Sequence, residues 1–184
     1  MIRRLGLAIV VILTTVSLAI ACGTERWPVK IAADGDAGKI DTTPKETNIA
    51  ALRDIGAPVN PNVRRRSRYA PTELTTFKIS GTLTVIKLEA DEDYHLVIRD
   101  NRGRTMIIES PEPTCSENSR FLSEITEVRR VLDAKFPSLS SKLTPNIAIT
   151  ATGVGFFDKR HSPPQEGVAP NNIELHPLLS VQFE

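Results

Sequence analysis

Three apolar-alternating segments, one long segment with helical spacing, and two more alternating segments follow one another from Phe77 onward. This order predicts a mainly β fold with helices (α+β): an OB-fold-like five-stranded barrel of order β-β-β-α-β-β. A second observation supports closure. The first strand is long and slips phase after Val85, as a strand does when a bulge bends it around a barrel. A third is the helix itself, whose apolar stripe would stopper the open end. In that arrangement the first and fourth strands pair and the fifth lies beside the first.

Residues 1–21 read as an export signal. Arg3 and Arg4 give a positive start, Leu5 to Ile20 an apolar run without a charge, and Ala19-Ile20-Ala21 a small-residue cleavage pattern. The run is shorter than the ~20 residues of a spanning helix. Cys22 follows at once and leaves two readings open. Small residues before a cysteine resemble the bacterial lipoprotein signal, in which that cysteine is lipidated, although Ala19 stands where that signal usually has leucine. Ordinary cleavage is the other reading. It would leave Cys22 free to pair with Cys115 in an oxidising compartment; no bridge is the expectation, because Cys22 sits in a tail.

Residues 22–74 read as that tail and a linker, with one short helix at about 44–55. Thr43 would cap it, Pro44 open it, Glu46 complete a capping box, and Gly56 end it. Ile49, Leu52 and Ile55 form its stripe. Trp27, the only tryptophan, stands beside Pro28 and is a candidate anchor on the domain. Arg64-Arg65-Arg66 with Arg68 reads as a solvated linker, or as a contact for phosphate or lipid headgroups.

The domain proper is expected over residues 75–184. Phe77, Ile79, Leu83 and Val85 share one strand face, and Gly81 marks a bend. Tyr94, Leu96 and Ile98 repeat the period, and Asp100-Asn101-Arg102-Gly103 turns the chain into Thr105–Ile108. A helix is predicted from Glu117 to Phe136, with Ser116 as cap and Phe121, Ile125, Val128 and Leu132 as its stripe. Pro137 stops it. Ile147, Ile149 and Ala151 begin the fourth strand, which runs into Gly153-Val154-Gly155-Phe156-Phe157-Asp158. Ile173, Leu175, Leu179, Val181 and Phe183 form the last, with Pro177 calling for an edge or a bulge.

At Glu25-Arg26-Trp27-Pro28-Val29-Lys30, Asp93-Tyr94-His95-Leu96-Val97, Gly153 to Asp158 and Gly167 to Pro177 the chain resembles a family of exported bacterial proteins of unassigned function. Its close, an acid, an apolar residue and His-Pro, is similar to the end of other small exported or nuclease-associated β-domains. The resemblance implies export and a single domain and lends no catalytic residue.

Loss of the signal removes two arginines and no acid, so the mature chain is nearly neutral. No global field draws it to nucleic acid or anionic membrane. The strands expected to read single-stranded nucleic acid also lack the usual stacking aromatics. The three histidines are His95, His161 and His176, with Asp93, Asp158 and Glu174 nearby. His95, Asp158, His161 and His176 could meet at one rim as a zinc or similar divalent-metal site. The bland alternative places Glu174 and His176 on a solvated sheet face and gives His95 a backbone partner. Of the adjacent Phe156 and Phe157, a regular strand turns one ring outward, where it and Trp27 could contact a ligand. There is no motif-spaced ligand pair, no nucleophile elbow and no phosphate loop. The expectation is an exported, envelope-associated, non-enzymatic binding module in the periplasm or cell envelope. Its ligand would be an envelope protein or glycan, and a lipid anchor is an option through Cys22. The alternatives are a metal-dependent hydrolase, nuclease-like in kind, and a nucleic-acid-binding OB domain.

Overall fold

The computed structural model describes residues 22–137, 139–160 and 166–184. The signal expected at 1–21 lies outside them, as does His161. In chain order the elements are α1 (Trp27–Lys30), β1 (Asp41–Glu46), α2 (Ile49–Arg53), β2 (Thr75–Leu88), β3 (Tyr94–Arg99), β4 (Thr105–Ser110), α3 (Leu122–Lys135), β5 (Ile147–Phe157) and β6 (Ile173–Phe183). Among the described residues no helix is long and apolar enough to cross a membrane.

β2 is long because it serves two neighbours. Residues Thr76 to Leu83 pair antiparallel with β5, and Thr82 to Leu88 pair antiparallel with β3. The register slips between Leu83 and Val85, one residue earlier than the phase change suggests, and this bulge bends the strand from one wall to the next. Gly81 lies at the same corner. A Cβ there would come within 2.8 Å of both the Arg99 carbonyl and Ile98, so the bend needs its absence.

The barrel closes as β2-β3-β4-β6-β5 and back to β2, so the OB-like five-strand wall is present, with β1 added parallel along β2. The final strand corrects one expectation. β6 does not lie beside the first barrel strand; it runs parallel to β4 and antiparallel to β5. The crossover through α3 returns β5 to β2, and the remaining gap, between β4 and β5, is the one β6 fills. A closed wall has no edge, so Pro177 is taken up instead by the register shifts of β5 and β6 around Gly153.

The inner faces supply the main core: Phe77, Ile79, Leu83, Leu96, Ile98, Met106, Ile108, Ile173 and Leu175. Val128, Leu132 and Phe136 of the helical segment enter the same core, as the apolar stripe predicts. α3 begins later than expected, at Leu122. Ser116 caps a short 3-10 turn rather than the helix, because Pro113–Cys115 is already coiled there and Cys115 is bonded to Cys22. Ser119 accepts from the Phe121 amide instead.

The N-terminal segment departs furthest from the sequence reading. Thr43 and Pro44 lie in β1, not at a helix start, and the helix spans only Ile49–Arg53, with Asn48 accepting from the Ala51 amide as its cap. Pairing with β2 outweighs the local capping box, which is worth only ~1 kcal/mol. Residues 22–40 are no loose tail. Val29, Ile31, Ala32, Ala37 and Ile40 are buried against the outside of the barrel. Cys22 is bonded to Cys115, so the expected absence of a bridge is wrong for the same reason: the segment is docked. Arg64, Arg65 and Arg66 are exposed as a linker would be, but Arg68 is buried and donates to Asp34, Val29 and Glu73.

Gly167, shortly before β6, sits tightly against Val97 of the barrel. Its φ is +89°, and a Cβ would come within 2.5 Å of Val97. Gly167→Ala is expected to cost about 1–3 kcal/mol through backbone strain and this clash. Urea unfolding would read it, and an unchanged midpoint would refute the tight seating.

Candidate functional site

Strand alternation builds the site on the outer barrel wall. Tyr94, Leu96 and Ile98 of β3 point into the core, so His95 and Val97 point out. On β4 the outward residues are Ile107 and Glu109, and on β6 they are Glu174 and His176. The register sets His95 directly against Glu109, and Ile107 against Glu174, which also faces Phe156 of β5. Asp93 joins from the turn before β3.

This outer face is not solvated, which corrects the bland reading of Glu174 and His176. α1 lies across it. His176 is fully buried, and Asp93, His95, Glu174 and Glu109 are each at least nine-tenths buried. Two devices hold α1 in place. Arg26 takes a left-handed backbone at its start and forks onto Glu73, with both contacts at 2.7 Å. Lys30 at its end extends along Phe156 into the cluster, where its Nζ lies 3.5 Å from Glu109 Oε2.

The contacts within the cluster are few and specific. His95 Nδ1 meets Glu109 Oε1 at 2.8 Å. His176 Nδ1 lies 3.1 Å from the Lys30 carbonyl. A carbonyl only accepts, so Nδ1 carries the proton and donates. His176 Nε2 then faces Glu109 Oε2 at 3.2 Å and Asp93 Oδ2 at 3.3 Å. Among the described residues neither Nε2 nor Asp93 Oδ2 completes a hydrogen bond, and Glu174 Oε2 and His95 Nε2 are likewise buried without one.

Burial and charge pull these groups apart. Burial opposes ionisation of Glu109, but Lys30, His176 and His95 outweigh it and hold the carboxyl well below the usual range. Burial, reinforced by the neighbouring charges of Glu109 and Asp158, pushes Glu174 well above it. Burial also raises Asp93, partly offset by His176. At Lys30 and His176 burial works against the charge, yet the surrounding carboxylates win and raise both. The pair Glu109 and Glu174 thus behaves oppositely at closely spaced positions, a pattern typical of functional sites and also of structural ion networks.

Glu174→Gln keeps the shape and removes the charge. A carboxyl whose folded pKa is raised stabilises fully below its unfolded value and loses that contribution as pH rises through the folded value. The variant is therefore expected to match the parent near pH 4 and to exceed it by about 1–3 kcal/mol at neutral pH. Melting across pH 4–8 tests this, and parallel curves would refute it.

Of the residues singled out from sequence, His95 and His176 do converge, bridged by Glu109. Asp158 borders the same cleft with Lys30 and Glu174. His161 lies outside the described residues. Neither phenylalanine ring is exposed. Phe157 packs edge-on with Tyr69 inside the core, and Phe156 is fully buried under the Arg26 guanidinium, 4.9 Å from its centroid. Trp27 does dock, donating from its indole to the Cys115 carbonyl. Glu109 and Lys30 were not anticipated. The Asp100–Arg104 turn implies the hairpin register that pairs position 95 with 109, so Glu109 was findable. Nothing local announces Lys30.

The cluster opens to solvent through a cleft of about 230 Å³, lined among others by Glu25, Lys30, Glu89, Asp91, Glu109 and Glu174. Neither a protein-family model nor a curated protein matches the chain.

Proposed function

We propose that the protein is an exported, envelope-associated binding module, and that this cleft is where its ligand docks. The ligand would be an envelope protein or glycan presenting a cationic or hydroxyl-rich group. The observation that carries the reading is the cleft itself: a small opening on a closed barrel, lined by Lys30, Glu109 and Glu174, with Glu174 Oε2 buried without a hydrogen bond among the described residues. Such an atom costs ~1–3 kcal/mol when left unmet, which a polar ligand would relieve. Export is supported by the signal pattern of residues 1–21 and by the Cys22–Cys115 bond, since disulfides persist in oxidising compartments. A sulfur already in a disulfide does not carry a lipid, so cleavage ahead of Cys22 without lipidation is the preferred form of the reading.

A metal-dependent hydrolase is the second reading, favoured by the His95–Glu109–His176 arrangement alone. The lining argues against it for anionic substrates, because carboxylates at the mouth repel phosphate esters. The same repulsion opposes nucleic acid. NMR titration of the mature chain with soluble peptidoglycan fragments tests the proposal. Shifts centred on Lys30, Glu89 and Glu109 are expected. Shifts confined to the Arg99, Arg102 and Arg104 groove at the far end of β3, or none, would overturn it. Turnover of a chromogenic phosphodiester, abolished in Glu109→Gln, would transfer the assignment to the hydrolase.

A further inference from the structure

We infer that Asp93, Glu109 and His176 bind a divalent metal ion of the zinc class. Their ligand atoms lie within 4.8 Å of one another, and all three residues are buried. The chemistry of His176 points the same way. Its Nδ1 donates to the Lys30 carbonyl, which in the neutral ring leaves a lone pair on Nε2. That lone pair faces two carboxylate oxygens, at 3.2 Å and 3.3 Å. Three electron-rich atoms at this spacing repel unless something positive lies among them. A proton on Nε2, which the neighbouring carboxylates attract, is one answer, although among the described residues neither Nε2 nor Asp93 Oδ2 completes a hydrogen bond. A metal ion is the other: ligands about 2.0–2.1 Å from a tetrahedral zinc stand about 3.3–3.4 Å apart, close to the two histidine–carboxylate distances.

The surroundings complete the arrangement. A metal-bound histidine typically donates its other N–H to a carbonyl, as His176 does, and a metal-bound carboxylate is itself held, as Glu109 is by His95 through its other oxygen. One imidazole with two carboxylates suits zinc or manganese better than calcium. Of the three, Glu109 also lines the cleft.

The inference draws on the same buried cluster as the proposed cleft, but its test contains no macromolecular ligand, so either can fail alone. Untagged protein with its disulfide intact is stripped with a chelator and titrated with zinc against a chromophoric competitor. One ion per chain is expected. Asp93→Asn and Glu109→Gln should bind at least about tenfold more weakly, and Glu127→Gln, on the exposed face of α3, should bind as the parent does. No binding, or equal binding by parent and site variants, overturns the inference. Should the site variants not fold, the parent alone decides: the His176 imidazole resonances shift in step with zinc if it is a ligand, and stay fixed during binding if it is not.

Discussion

Glu73→Ala is expected to destabilise the protein by about 3–5 kcal/mol, the cost of leaving a buried charge without its partner. Glu73 is fully buried. Its Oε1 accepts from Arg26 at 2.7 Å and from the Phe157 amide at 2.9 Å, and its Oε2 accepts from Arg26 and the Tyr69 amide, both at 2.7 Å. Removal strands the Arg26 guanidinium, which also donates to the Phe157 and Ser67 carbonyls. The consequence reaches the site, because Arg26 starts the helix that carries Lys30 into the cluster. Replacing both charges together, Arg26→Met with Glu73→Leu, should cost less than the two single changes summed, since no orphan charge remains. Chemical unfolding of the parent, Glu73→Ala, the double variant and its two single changes measures this. A Glu73→Ala loss below 1 kcal/mol, or strict additivity, would show that the pair does not anchor the N-terminal segment.

Reduction of the Cys22–Cys115 bond, or Cys115→Ser, should lower stability by a similar amount. The bond closes a loop between residues 93 apart, for which chain entropy gives about 4–5 kcal/mol. For a domain of this size that corresponds to a fall in Tm of about 10–15 °C. The loss should be larger in function than in fold. The bond fastens residues 22–30 beside the cleft, whereas the barrel keeps its own core. Paired melts with and without reductant test this. Curves within 2 °C of each other would mean that the docked segment holds without its staple.

The order of strands and helix was readable because each barrel element carries its own period. The alternation of Tyr94, Leu96 and Ile98 and the helical spacing of Ile125, Val128 and Leu132 are local facts, and both sets are buried as the pattern requires. The same alternation misled on the outer face. Polar residues at outward positions read as solvated, and His95, Glu174 and His176 would be so on a bare barrel. They are covered because residues 22–40 cross them, and that contact spans more than a hundred positions of chain. The histidine cluster was therefore half visible: the residue types were noticed, and their gathering around Glu109 and Lys30 was not.

Residue pattern alone set the closed β wall, its helical stopper and the sharp turns, because periodicity and turn chemistry act over a few neighbouring positions. Folding in three dimensions supplied the rest: the insertion of β6 between β4 and β5, the strand made from Asp41–Glu46, the Cys22–Cys115 bond and the buried ion cluster. Each of these depends on which distant segment covers which face. No local preference encodes that choice, since it follows from the total area and charge buried when the whole chain closes.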